Sequence, residues 1–205
     1  MTLESPEVPA VPIPSPPAPR FSRPGAAAAV VVGLALAGAL VGVLWSWMAP
    51  PAHGVVALTK SGQRVQTYLG SESDHLFVAA AMLIGLLTAL AIVAAVLVWQ
   101  WRAHRGPVLA TALWVGLVGA AGTAAGVGAA LVRWHYGANP FNTAPVTPAN
   151  RVFYYAEAPP VFFAHGPLQI ATTLLFPAAI GALAYALMAV ATPRDDLGGW
   201  PPVDG

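Results

Sequence analysis

The sequence predicts an all-α membrane protein with four transmembrane helices and a small extracytoplasmic β-hairpin or three-stranded sheet. Of its 205 residues, 57% are hydrophobic and 8% are charged, whereas ordinary soluble domains carry about 25% charged residues. A soluble domain cannot cover its surface with so few charges. The composition therefore excludes a soluble enzyme, a disordered protein and a nucleic-acid binder with a basic face.

Four uncharged, strongly apolar segments carry the fold prediction. Each has about 24 residues, or roughly 36 Å as a helix, and a hydrocarbon core is about 30 Å thick. Each segment can therefore cross a bilayer with some tilt. The predicted helices cover residues 26–49, 76–99, 107–132 and 168–191. With the outer loops 50–75 and 133–167, they form one transmembrane domain over residues 26–192.

Both ends of the chain are predicted to be cytoplasmic tails. Residues 1–25 contain eight prolines, and because proline fixes φ and lacks an amide proton, this tract is predicted to be disordered. Residues 193–205 form the second tail. Basic residues that lie close to helix ends on this side are Arg20, Arg23, Arg102 and Arg105. By the positive-inside rule they predict a multi-pass plasma (inner) membrane protein with both termini in the cytoplasm.

The first outer loop has the pattern of a hairpin. Residues 55–59 and 64–68 are rich in strand-forming residues, and residues 60–63 between them have a turn composition. Residues 151–155 in the second outer loop are also strand-like. Since an isolated hairpin is marginal in water, a third strand is expected to stabilise it.

Glycine pairs at helical spacing mark two helix faces. Gly38 and Gly42 lie on the first predicted helix, and Gly122 and Gly126 lie on the third. Small residues let helix backbones approach closely in lipid. Internal packing of the bundle is the simpler interpretation of each pair. A homodimer, or contact with another membrane protein, is the alternative.

No motif in the sequence predicts catalysis. The chain has no cysteine, which excludes disulfides and cysteine-ligated metals. The predicted spans contain no Asp, Glu, Lys or Arg, the residues that proton relays and ion pathways use. Nucleophile and nucleotide-binding motifs are also missing. The lipid bilayer is therefore the one partner that the composition requires, and no catalytic or cofactor-binding residue is predicted.

Histidines give the one candidate site. Four of the five fall at the predicted outer ends of different helices, and acidic residues lie on the same side. Imidazole and carboxylate together can ligate zinc or copper, and protonated histidines can report the pH of a compartment. Simple anchoring at the interface is the alternative. The candidate ligands of a divalent metal ion are His53, His75, His135, His165, Glu72 and Asp74.

Several stretches of the chain are similar to a known family, at residues 45–58, 99–107, 158–171 and 194–202. They resemble an uncharacterised actinobacterial, mycobacterial-type family of four-span membrane proteins, a domain of unknown function. The resemblance covers about residues 25–203 and leaves the proline-rich tail outside. It implies a plasma-membrane location and supplies no activity and no site residue.

Three functions are compatible with these observations. The first is a non-enzymatic accessory or structural subunit of the cell envelope. The second is an extracytoplasmic sensor, or a metal or small-ligand binder, that uses the outer His/acidic face. The third, which the sequence favours least, is an intramembrane enzyme acting on lipid, because a catalytic centre needs convergent ionisable groups.

Overall fold

Four long apolar helices make up most of the computed structural model, which describes residues 22–193. They are α1 (Arg23–Met48), α2 (Asp74–Trp99), α3 (Pro107–Tyr136) and α4 (Pro167–Val190). All four are long and apolar enough to cross a membrane, as predicted. Residues 1–21, which make up most of the first predicted tail, lie outside the described range. Residues 194–205, nearly all of the second tail, lie outside it too.

The first helix begins earlier than predicted. The hydroxyl of Ser22 accepts a hydrogen bond from the backbone N–H of Gly25 at 3.3 Å and so caps α1. Pro24 lies in the first turn, where a helix does not need the missing N–H and the fixed φ of proline fits. Assigning residues 23–25 to the tail was therefore wrong.

The third helix ends later than predicted. It continues to Tyr136, and Gly137 ends it with a positive φ of 75° and an N–H that donates to Arg133 O at 2.9 Å. Arg133 and His135 lie in the last turn, where cationic side chains complement the negative end of the helix dipole. The outer loop predicted from residue 133 therefore begins four residues further on.

The closest helix pair is α1 and α3, which run parallel. A Cβ atom on Gly38 would overlap the backbone of Ala120, and one on Gly42 would overlap the backbone of Ala124. The first predicted glycine pair is therefore used for packing inside the chain. Gly122 and Gly126 lie on the exposed side of α3, with no atom within 4 Å of a Cβ built on them. A homodimer through that second pair stays a prediction.

A three-stranded antiparallel sheet forms from the segments that join α1 to α2 and α3 to α4. Its strands are β1 (Ala52–Leu58), β2 (Arg64–Tyr68) and β3 (Val152–Glu157), in the order β2-β1-β3. Both the predicted hairpin and the predicted third strand are confirmed. Because each strand is joined directly or by a loop to the same ends of the helices, we call this the sheet end of the bundle.

One face of the sheet is covered by the loop that follows α3. Val56 of β1 and Tyr155 of β3 are buried against Ala144, with Phe141 packed beside them. The guanidinium of Arg64 donates to the carbonyl of Phe141 at 2.9 Å. The loop and the sheet therefore form one module at the sheet end of the bundle.

Candidate functional site

The carboxylate of Glu72 lies between two of the predicted histidines. Glu72 Oε2 accepts a hydrogen bond from the backbone N–H of His53 at 3.0 Å. The same oxygen lies 3.0 Å from His53 Nδ1 and 3.0 Å from His75 Nδ1. His53 is on β1, while Glu72 and His75 come from the turn and first residues of α2. The trio therefore joins the start of β1 to the start of α2, and we call it the Glu72 cluster.

The hydrogen bonds of His75 show whether its Nδ1 atom carries a proton. Its Nδ1 lies 2.9 Å from the carbonyl oxygen of Pro51 as well as beside Glu72. A carbonyl only accepts hydrogen bonds, so Nδ1 carries the proton and donates it. A protonated nitrogen has no lone pair for a metal ion, and this atom of His75 acts here as a donor.

Electrostatics favour the charged form of Glu72. The hydrogen bond from the backbone of His53, and then the one from its side chain, lower the pKa of the Glu72 carboxyl. At neutral pH the cluster therefore keeps a carboxylate that is only partly shielded from solvent. Two hydrogen bonds with His53 and the contact with His75 Nδ1 converge on one oxygen of this carboxylate.

In the part of the chain that the structure describes, the other predicted metal ligands form no hydrogen bond or ion pair with this cluster. His135 contacts the ring of Tyr136 edge-on at 4.7 Å. Asp74 is exposed in the first turn of α2, and His165 is exposed just before α4. Within residues 22–193, no three or more His, Asp or Glu side chains are arranged to hold a metal ion. The divalent metal site stays a prediction.

A second polar group lies under the covered face of the sheet, and sequence reasoning missed it. The hydroxyl of Tyr68 donates to Glu157 Oε2 at 2.8 Å, and the amide of Asn139 donates to Glu157 Oε1 at 3.3 Å. The amide of Gln66 also donates to the hydroxyl of Tyr155. The signal was available, because Gln66 and Tyr68 are two residues apart on one strand and so share a face.

Burial and the nearby carboxylate perturb Tyr68. Loss of water around the phenol, followed by the hydrogen bond to Glu157, raises the pKa of Tyr68 to about 12. Burial likewise raises the pKa of Tyr155. Both phenols therefore stay neutral over the physiological range, and this polar group fastens the loop to the sheet.

The other face of the sheet carries exposed apolar side chains around Val55, which is itself buried at its centre. Its exposed apolar side chains include Val65, Val152 and Tyr154, and Tyr154 is 67% exposed. At the end of the sheet away from the helices, the hairpin turn and the start of β3 carry three cations, Lys60, Arg64 and Arg151. The acidic residues in the described part of the chain lie elsewhere, at Glu72, Asp74 and Glu157.

These features define a class of small proteins in which four membrane-length helices carry a β-sheet module at one end. The chain belongs to the family described as "Protein of unknown function (DUF2567)", which matches residues 34–199. The predicted resemblance to an uncharacterised actinobacterial family is therefore confirmed.

Mycobacterial proteins are close relatives of the chain. "Uncharacterized protein Rv1591" of Mycobacterium tuberculosis is 56% identical over 175 residues, which cover 85% of this chain and 91% of that protein. "Uncharacterized protein ML1222" of Mycobacterium leprae is 55% identical over 170 residues, which cover 83% of this chain and 86% of that protein. No solved structure matches the chain.

Proposed function

We propose that the protein is a multi-pass protein of the plasma membrane, with both termini in the cytoplasm and the sheet module outside. The four apolar helices support insertion. The density of basic residues in the short connection between α2 and α3, where Arg102 and Arg105 lie within five residues, supports the orientation. An even number of spans returns the chain to the side on which it began.

The absence of cysteine makes this topology directly testable. A single cysteine is introduced by Ser61→Cys in the hairpin turn or by Gln100→Cys after α2. A membrane-impermeant thiol reagent is expected to label the first variant in intact cells and the second only after permeabilisation. The reverse labelling pattern would invert the proposed orientation, and recovery of the protein in the soluble fraction would reject insertion.

Within that membrane, the function best supported is a non-enzymatic accessory or structural subunit of the cell envelope. The observation that carries this proposal is the face of the sheet that exposes Val65, Val152 and Tyr154. Apolar side chains grouped outside a bilayer are typical of a protein interface. Because Lys60 and Arg151 lie at the same end of the sheet as Val65 and Val152, and the acidic residues of the described chain lie elsewhere, we expect an acidic protein surface as its partner.

Photo-crosslinking in whole cells tests this interface. A benzophenone amino acid at position 154 is expected to give one defined adduct with another polypeptide. The same probe at Asn142, which is exposed in the covering loop, is the matched control. Charge reversal by Lys60→Glu and Arg151→Glu should reduce the adduct several-fold. Equal yields from positions 154 and 142, or adducts with lipid alone, would contradict the proposal.

The Glu72 cluster favours one alternative, a sensor of pH in the outer compartment. Two histidines share a single carboxylate oxygen at 3.0 Å, and histidine is the side chain that changes charge between pH 5 and 8. The further charged groups on the neighbouring elements are Asp74 and Glu157. Because the thiolate fraction of any cysteine changes with pH, the labelling rate of a reporter cysteine at Ser71 is compared with that of one at Ser61. A sensor should show a change in the ratio of the two rates across this pH range, and Glu72→Gln should abolish that change. A constant ratio in wild type would reject the sensor.

A further inference from the structure

A groove of about 600 Å³ runs between α1 and α3 at the end of the bundle opposite the sheet. Its walls include Ala28, Val31 and Val32 of α1, and Val108, Thr111 and Val115 of α3. The Thr111 hydroxyl already donates to the carbonyl of Pro107 at 2.9 Å. The groove therefore presents a largely apolar surface, and the one hydroxyl that lines it already uses its proton within α3.

The helix register fixes what lies at the mouth of this groove. Gly38 meets Ala120 and Gly42 meets Ala124, so the two helices run parallel with a constant offset. Carried back toward their N-termini, the same offset places Gly25 level with Pro107, the first residue of α3. Arg23 lies four residues before Ala27, which also lines the groove, and residues four apart share a helix face.

The mouth of the groove is positively charged. Both helices begin here, so the positive ends of two helix dipoles lie side by side, and neither first turn contains an acidic residue. Arg23 is exposed, and so is Arg102 in the connection that leads into α3. Within residues 22–193, all three acidic side chains belong to the sheet end, so they do not neutralise this charge.

We propose that the groove binds one anionic phospholipid, with an acyl chain against the valines and the phosphate beside Arg23 and the first turns of α1 and α3. An apolar groove with a cationic mouth is complementary to an amphiphile that carries a net negative head. A second copy of this chain seated in a symmetric, parallel manner would bring a second Arg23 to the same mouth, which like-charge repulsion disfavours. The assignment rests on the membrane insertion proposed above.

Native mass spectrometry of the full-length protein, released from nanodiscs, tests the site. The nanodiscs contain equal amounts of phosphatidylglycerol and phosphatidylcholine with the same acyl chains. Wild type is expected to retain one phosphatidylglycerol in preference to phosphatidylcholine. Arg23→Gln should reduce that preference about fivefold, the effect expected for one basic group at an anionic surface. Arg133→Gln, at the far end of α3, is the matched control and should leave it unchanged.

A groove-filling variant separates this site from general lipid adhesion. Ala28→Trp should remove the retained lipid, whereas Ala186→Trp, on the exposed surface of α4 near the same end, should not. Equal retention of both lipids by wild type, or unchanged retention by Ala28→Trp, would overturn the proposal. A protein dimer that Ala28→Trp dissociates would also overturn it, because the occupant would then be a second copy. Failure of membrane insertion itself would appear earlier, as protein that does not enter nanodiscs.

Discussion

The indole N–H of Trp45 on α1 donates a hydrogen bond to the carbonyl oxygen of Ala79 on α2, at 2.8 Å. The ring of Trp45 is fully buried, and it occupies the space that a side chain at Gly128 of α3 would need. One residue of α1 thus contacts both α2 and α3 near the sheet end. It fixes the helix ends from which the sheet and the Glu72 cluster are built.

Trp45→Phe should destabilise the folded protein. The change removes the donor to Ala79 and leaves part of the indole volume empty, and a lost hydrogen bond alone costs about 1 kcal/mol. We expect a decrease of about 1–3 kcal/mol in the free energy of unfolding, measured by denaturant titration in detergent. Trp47→Phe is the matched control, because Trp47 is 83% exposed. Equal effects of the two changes would show that the buried contact adds nothing.

Substitution of alanine for glycine should have opposite effects on stability at the two glycine pairs. Gly38→Ala places a methyl group on the backbone of Ala120, and overpacking of this kind costs about 1–3 kcal/mol. Gly122→Ala meets no atom within 4 Å, and alanine is the better helix former by about 1 kcal/mol. Unfolding of both variants in the same detergent measures the difference. If Gly122→Ala is destabilised and its oligomeric mass in detergent is lower than that of wild type, the wild-type protein forms a dimer through that face.

Acid should weaken the Glu72 cluster. Because the pKa of Glu72 is lowered in the folded protein, its contribution to stability is present above the unfolded value of about 4.3. That contribution is lost as the pH falls through the lowered folded pKa. Unfolding curves of wild type and Glu72→Gln should therefore differ at neutral pH and converge in strong acid. Asp74→Asn, which removes an exposed neighbouring carboxylate, should keep the acid dependence of wild type.

Much of the fold follows from local features of the sequence, and much of the site does not. Long uncharged segments predict the helices, and strand-forming residues on both sides of a turn predict β1 and β2. The end of α3 was missed because Arg133 and His135 are polar residues that also suit a final helical turn. The contact of His53 with Glu72 depends on where a strand and a helix begin relative to each other. Residue spacing carries no information on the distance between the two starts. The sequence therefore predicted that the histidines lie at the same end of the helices, and it did not predict the Glu72 cluster.

The phenol of Tyr68 should lose its proton at a higher pH than an ordinary tyrosine. Its contribution to the stability of the sheet module should therefore persist into the alkaline range. Burial and the hydrogen bond to Glu157 raise its pKa to about 12, against about 10 for an unfolded tyrosine. A raised pKa means that this contribution to stability is complete below about pH 10 and is lost as the pH rises through about 12. Absorbance of tyrosinate at alkaline pH measures the titration. Tyr68→Phe should remove a late component, whereas Tyr154→Phe, which changes an exposed phenol, should leave that component in place. A late component that persists in Tyr68→Phe would assign it to another buried phenol such as Tyr155, whose pKa is also raised.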